Sequence, residues 1–414
     1  MFDLTPQPRR FDAVLGGETL SPLTGAVLGG WTGAKQRLES DSIVARLAAL
    51  KEIIQYGDRG IDLVIQALND PAKPVRRLAC RLLRQEERGQ DFLLNHQPLG
   101  YFTTFVDWQV EPYDPQVGIT DPEMNAYAVR MANTGREHTY DLSQFEALLQ
   151  DPRVADLQAL VFEIDYNIRE PKRPFSVAVT AICEAQARLP SLKALSVKDS
   201  EDGDFDCSTS RLIVSDFHLL LKAFPHLEVL QLHGANFDSQ TISDWVGLHH
   251  SRLKTLMIHV PTLRPREIEQ FCAMKLPRLE YFDMWLYPDR APGELVARAM
   301  TSLLVGESYP NLKYLGMCGC LDGDTLIKRI IKSPIMNQLI GLDLKINDIT
   351  DVGAEVLWRN QDQLPNLKFL DLSRNYIREY MVAQFQKLPC QVEIADQTKI
   401  WLCGRWFLDG LSDE

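Results

Sequence analysis

From residue 157 onward the chain repeats one short hydrophobic pattern, L-x-x-L-x-L, eight times. The segments are DLQALVFEID from Asp156, SLKALSV from Ser191, HLEVLQLHGANF from His226, RLKTLMI from Arg252, RLEYFDM from Arg278, NLKYLGM from Asn311, QLIGLDLKINDI from Gln338 and NLKFLDLSRNYI from Asn366. Their first leucines are 35, 35, 26, 26, 33, 27 and 28 residues apart. Alternation at L-x-L places two apolar side chains on one face of a short strand. Between the segments, apolar residues recur at three- and four-residue intervals, which predicts helices over 174–189, 211–224, 265–276, 293–304 and 350–361, with Thr350 capping the last. The longer steps imply loop insertions, which a stacked array accommodates because each unit touches only its neighbours. Asn347 and Asn375 follow the last two strands where a side-chain amide can bond free backbone groups of the turn, whereas Asn236 is displaced by one position.

Strand alternating with helix at this period resembles the ribonuclease-inhibitor class of leucine-rich repeats, and QLIGLDLKINDITDVGAEVL is the closest match to its unit. The resemblance spans about 157–394. It implies an α/β fold, a horseshoe with a parallel sheet on the concave side and helices on the convex side. It also implies binding of another macromolecule and no catalysis. Residues between the leucines point away from the leucine core. They read Glu163, Ser196, Lys198, Gln231 and His233 early, then Met257, His259, Tyr281, Asp283, Trp285 and Tyr314, then Asp343, Lys345, Phe369 and Asp371. Tyr281, Trp285 and Tyr314 come from adjacent units, and exposed clustered aromatics are what interface hot spots look like. The expected partner-binding site is therefore His233, Met257, His259, Tyr281, Asp283, Trp285, Tyr314, Asp343, Phe369 and Asp371. The competing reading is that inserted loops fold over the aromatics and make them core.

The N-terminal region has a different pattern. Residues 40–87 read as amphipathic helices without strands between them, and Asp70-Pro71 followed by Val75-Arg76-Arg77-Leu78-Ala79 resembles the turn and second-helix start of a HEAT repeat. The aspartate is expected to cap the next helix and the proline to fix its entry. The stretch before it resembles the leader of cyanobacterial HEAT-containing multidomain proteins, which implies a bacterial origin. Residues 95–150 carry two strand-like runs, YFTTFVDWQV and AYAVRM, and a helix at LSQFEALLQ, consistent with a capping unit over the first leucine strand. Residues 395–414 should close the other end with Trp401, Leu402, Trp406 and Phe407. The expected domains are thus a leader and small all-α HEAT-like region at 1–94, a capping unit at 95–150, the repeats at 151–394 and a C-terminal cap or tail at 395–414.

Charge and composition narrow the function. A net charge of -12 argues against general nucleic-acid binding, which needs a positive surface. One local exception is the basic face of Arg77, Arg81 and Arg84 at i, i+4 and i+7, suited either to phosphate or an acidic partner or simply to solvent. The eight cysteines are scattered, so a disulfide scaffold is not expected, and the only close pair, Cys318-Gly319-Cys320, has no second pair at zinc-finger spacing. No signal-peptide core and no run of 18 apolar residues is present, giving the expectation of a cytoplasmic protein. GGWTGAK at 29–35 lacks phosphate-loop spacing, DSEDGDFD at 199–206 lacks the calcium-loop order, and His249-His250 have no partner at catalytic spacing. No cofactor, metal or catalytic residue is expected. The sequence therefore points to a scaffold that binds a protein partner or, alternatively, to an accessory subunit that presents a substrate to a separate enzyme.

Overall fold

A computed structural model describes residues 30–135, 139–165, 173–200, 212–238, 245, 247–260, 262–286, 293–306 and 309–397, and the backbone of 401–402 and 405–406. The chain divides into two compact units, one ending at Tyr101 and one beginning at Phe102. The acidic 201–206 stretch, most of the expected C-terminal cap and the leader up to residue 29 lie outside the described residues.

Among its described residues the first unit is helical: Gly30–Leu38, Ile43–Ile53, Asp58–Gln66, Lys73–Leu83 and Glu87–His96. Leu50, Ile53, Val64, Val75, Leu83 and Leu93 form its dry interior. The second helix starts at Ser42, whose hydroxyl accepts from the Ala45 amide. Asp70 does not cap the next helix as expected. Its carboxylate accepts from the Ala72 amide at 2.8 Å and pairs with Arg46 at 3.0 Å, so it closes the turn one step before the helix. Ala72 holds the cap position without a side-chain bond, and Pro74 lies in the first turn, where no amide hydrogen is needed.

The second unit is α/β and is built on one long sheet. Eleven strands run β1 (Gln109–Pro112), β2 (Asn125–Asn133), β3 (Ala159–Ile164), β4 (Ala194–Asp199), β5 (Val229–His233), β6 (Thr255–His259), β7 (Tyr281–Trp285), β8 (Tyr314–Cys318), β9 (Gly341–Asp343), β10 (Phe369–Asp371) and β11 (Gln391–Glu393). Each is parallel to its neighbour, and their order in the sheet is their order in the chain. All eight L-x-L segments are strands of this sheet. The strand-like run AYAVRM lies in β2, whereas only the end of YFTTFVDWQV is a strand, because Phe105–Asp107 forms a single 3-10 turn. A two-residue strand, Tyr140–Asp141, adds antiparallel pairing at the end of β2.

Between most neighbouring strands a helix returns the chain, and these helices pack on one face of the sheet; among the described residues no α-helix joins β1 to β2 or β5 to β6. Leucine positions such as Leu160, Leu195, Leu230, Leu256, Leu315 and Leu342 meet helix residues such as Phe175, Ile182, Phe271, Val296 and Leu326 in one continuous core. The expected helix over 211–224 is shorter, His218–Ala223. Before it, the β-branched pair Ile213–Val214 forms a strand with Asn236–Phe237, which uses the displaced Asn236. The helices Gly323–Ile330 and Glu379–Phe385 were not expected from the spacing. Thr350 caps Asp351–Arg359 as expected, its hydroxyl accepting from the Val352 amide at 3.1 Å.

The last turns share a brace. Asn347 accepts from the Cys320 amide and donates to the Met317 carbonyl. Asn375 accepts from the amides of Asn347 and Ile349 and donates to the Leu344 and Leu372 carbonyls. Gln397 takes the same place one unit later, accepting from Ile377 and donating to Leu372 and Ile394. The residues just before these three positions, Ile346, Arg374 and Asp396, and Gly319 before Cys320 at the matching place one unit earlier, all have positive φ, between 58° and 87°. No described helix is long and apolar enough to cross a membrane.

Candidate functional site

The sheet face opposite the helices carries three rows of side chains, set by strand register. The first row reads Ala126, Ala159, Ala194, Val229, Thr255, Tyr281, Tyr314, Gly341, Phe369 and Gln391. The second reads Ala128, Val161, Ser196, Gln231, Met257, Asp283, Gly316, Asp343, Asp371 and Glu393. The third, at the C-terminal ends of the strands, includes the registered sets Arg130–Glu163–Lys198, His233–His259 and Trp285–Cys318.

The first row is filled by the chain itself. Residues 102–108 lie over it, and side-chain size decides what fits where. The ladder of alanines and valines at Ala126, Ala159, Val161, Ala194 and Val229 leaves room for Trp108, with Phe105 beside it. Further along, Tyr281 and Tyr314 stack with ring centres 3.9 Å apart, and Phe102 packs edge-on against both, at 5.4 and 5.7 Å. The Thr255 hydroxyl donates to the Thr103 carbonyl at 2.5 Å. Two glycines make the arrangement possible. A Cβ at Gly341 would meet the Tyr314 ring at 2.4 Å, and one at Gly316 would meet the Asp283 carboxylate at 2.2 Å.

This overturns part of the expected surface. Tyr281, Asp283, Tyr314, Asp343 and Phe369 are 9%, 4%, 3%, 1% and 4% exposed, so they are interior residues and not an open hot spot. The physical reason is area: rings this large on a sheet face are covered when a neighbouring aromatic segment is tethered within reach. His233, Met257, His259, Trp285 and Asp371 keep partial exposure. In the first unit, Arg77, Arg81 and Arg84 are half-buried, and each is already engaged in an interaction, so they do not form a freely solvated basic face.

Beneath the rim lies a connected polar network. The His259 Nε2 is 3.2 Å from Asp283 Oδ2, and the Cys318 Sγ is 4.0 Å from Asp283 Oδ1. Tyr314 donates to Asp343 at 3.2 Å, and Lys345 bonds the same carboxylate through Nζ at 2.5 Å and through its backbone amide at 3.0 Å. Burial pushes up the pKa of Tyr281 and Tyr314 and, with the nearby Asp343, that of the Cys318 thiol. Burial also raises Asp343. Asp283 goes the other way: burial would raise it, but the hydrogen bond and charge of His259 outweigh that and lower it. His233 meets the His259 ring at 4.7 Å, and burial with its neighbours His259 and Lys198 holds it well below the usual histidine range. Cys318 has a carboxylate and not an imidazole beside it, and a thiol with a raised pKa is a poor nucleophile.

Other polar candidates have structural partners. His250 accepts from the Leu253 amide at 3.0 Å and meets the Phe224 carbonyl through its other nitrogen, also at 3.0 Å. Cys318 and Cys320 do not converge. Gly319, at φ 87°, turns the chain so that Cys318 stays with Asp283 while Cys320 joins the core on the helix side. Among the described residues no group of three or more His, Cys, Asp or Glu is placed to hold a metal ion.

Solved structures resemble this chain. One of them is a Bacteroides fragilis protein from a structural-genomics programme, aligned with a TM-score of 0.52 over 66% of this chain and 76% of that one, at 22% identity. At that identity the likeness carries the fold alone. No family model matches the sequence, and no curated protein matches it.

What stays most open on the sheet is the third row apart from the buried Cys318. Arg130 is exposed and pairs with Asp165 at 3.5 Å, and Lys198 pairs with Glu163 at 3.3 Å. Next come His233, bonded to Gln231, then His259, then Trp285, whose ring centre is 5.9 Å from that of His259. The Asp283–His259 pair escaped the sequence reading, although aligning the units would have shown it: the two stand on neighbouring strands one row apart. The involvement of Thr255 and Cys318 left no signal of its own.

Proposed function

We propose that the second unit is a leucine-rich-repeat array of the ribonuclease-inhibitor type, that the helical first unit is HEAT-like, and that the protein is a non-catalytic scaffold gripping a protein partner on the concave rim. Support for the repeat reading comes from parallel strands in chain order and from the amide brace that recurs at Asn347, Asn375 and Gln397. The binding reading rests on one observation. The first row of the inner sheet face is occupied by residues 102–108, while the third row presents a half-exposed Trp285 beside His259 and His233, flanked by paired charges. An anchored aromatic with a polar surround is the composition that carries binding energy at protein interfaces. The paired charges favour a partner of mixed polarity over a polyanion.

The test is affinity capture with the full chain, comparing wild type with Trp285→Ala and Lys198→Glu. A stoichiometric protein retained by wild type and lost by both variants supports the rim as its site. An identical catch with all three proteins places the contact elsewhere and ends this reading. Tyr281→Ala is unsuitable as a probe, because it would disturb the buried stack under Phe102.

A further inference from the structure

We infer that residues 398–414 dock into an apolar pocket at the last repeat and there supply the piece that this repeat lacks. The inference does not depend on the partner proposed above. The pocket has a volume of about 300 Å³ and is lined by Leu357, Trp358, Leu364, Phe385, Leu388 and Cys390, among others.

Its origin is a shortfall in repeat length. From β8 to β9 the registered step is Leu315 to Leu342, and from β9 to β10 it is Leu342 to Leu370. From β10 to β11 it is Leu370 to Val392, several residues shorter. The missing length can be located. In the two preceding units a 3-10 segment, Pro334–Asn337 and then Gln361–Gln363, connects the outer helix to the next strand. Ile335 and Met336 of the first are fully buried and fill the layer there. The last unit passes from Glu379–Phe385 to β11 with no such segment. The pocket opens against Gln361, Leu364 and Pro365 of the preceding unit, where the absent segment would have stacked.

Chain path and composition name the occupant. Gln397 makes the turn bonds that Asn375 makes one unit earlier, so the chain leaves the last strand as it leaves the others, which then run to the helix layer. The 17 residues that follow carry Ile400, Trp401, Leu402, Trp406, Phe407 and Leu408. The backbone of Trp401–Leu402 pairs antiparallel with Arg405–Trp406. Fully extended, 17 residues span on the order of 50 Å. Without a cover, Leu364, Leu367, Leu388, Cys390 and Val392 remain only partly buried at the end of the core.

Cys390 offers a native reporter in the pocket wall, and fully buried Cys272 an internal reference. Iodoacetamide labelling of each, resolved by peptide mass spectrometry, is compared in the full chain, in a chain ending at Gln397 and in the Trp401→Ala/Trp406→Ala variant. Docking predicts that Cys390 labels about tenfold faster in both altered proteins, equivalent to about 1.4 kcal/mol of docking free energy, while Cys272 is unchanged. Equal Cys390 rates in all three overturn the proposal. If truncation also accelerates Cys272, it has loosened the core, and the double variant decides. Protection of Cys390 that grows with protein concentration would make the occupant a second copy of the chain and would likewise overturn it.

Discussion

The turn before each braced amide needs a left-handed backbone, whatever residue the sequence offers. Gly319 meets the need without strain, whereas Ile346 at φ 59° places a β-branched side chain where L-residues lose about 1–2 kcal/mol. Ile346→Asn should therefore raise stability by about 1 kcal/mol, and Gly319→Ala should lower it by about 1–2 kcal/mol, both read from urea midpoints at constant m. A destabilised Ile346→Asn would show that the isoleucine's packing outweighs its backbone cost. These four positions were illegible in the sequence because Gly, Ile, Arg and Asp share no side-chain property, only a φ. The asparagines beside them were legible, since an amide with both donor and acceptor has few substitutes in such a turn. The histidines give a second expectation at this scale. His233 and His250 are both shifted below the unfolded value near 6.5, so the unfolded chain binds protons that the folded chain refuses. Their stability contribution is complete above about pH 6.5 and is lost progressively as the pH falls below it. His233→Gln should flatten the fall in melting temperature between about pH 7 and 5. A slope as steep as that of wild type would show that His233 is solvated in the folded protein.

At the scale of elements, the segment 102–108 belongs to the sheet's packing as much as any helix does. Trp108 and Phe102 are 4% and 2% exposed, and each fills space that first-row residues leave for it. Trp108→Ala and Phe102→Ala should each cost about 3–5 kcal/mol, as large-to-small changes in a dry core do. Losses below about 1 kcal/mol would mark the segment as a loose cover and would reopen the aromatic row as a binding surface. The sequence could announce the strands, because L-x-L alternation is local. It could not announce the covering segment, because what covers Tyr281 comes from Phe102, far away in the chain and inside a run whose own pattern reads as a strand. The expected site thus divides largely by row: first-row Tyr281, Tyr314 and Phe369 and second-row Asp283 and Asp343 went inside, while Met257, Asp371 and, at the strand ends, His233, His259 and Trp285 kept partial exposure. The sequence had already posed the choice between open surface and covered core; the small-residue ladder from Ala126 to Val229 decides it.

Beyond the four-residue β1, strand length in the second unit falls along the sheet. β2 has nine residues, β3 and β4 have six, β5 to β8 have five, and β9 to β11 have three. Each strand is held by its two neighbours, so stability in such an array is close to a sum of unit and interface terms, and local opening starts where those terms are smallest. The late units offset their short ladders with the amide brace, whose last member, Gln397, ties β10 and the end of β11 through Leu372 and Ile394. Backbone amides should therefore exchange slowest in β3 to β8 and progressively faster through β9, β10 and β11. Gln397→Ala should speed exchange in β10 and β11 by at least about tenfold while leaving β3 to β8 unchanged, because a nearest-neighbour array confines a local loss of about 1.4 kcal/mol or more to the units that share the bond. Hydrogen exchange followed by mass spectrometry reads both patterns. Uniform protection from β2 to β11, or a Gln397→Ala effect that reaches β3, would mean that the sheet opens as a single block, and the continuous core from Tyr113 to Ile394 would then outweigh the ladder in setting cooperativity.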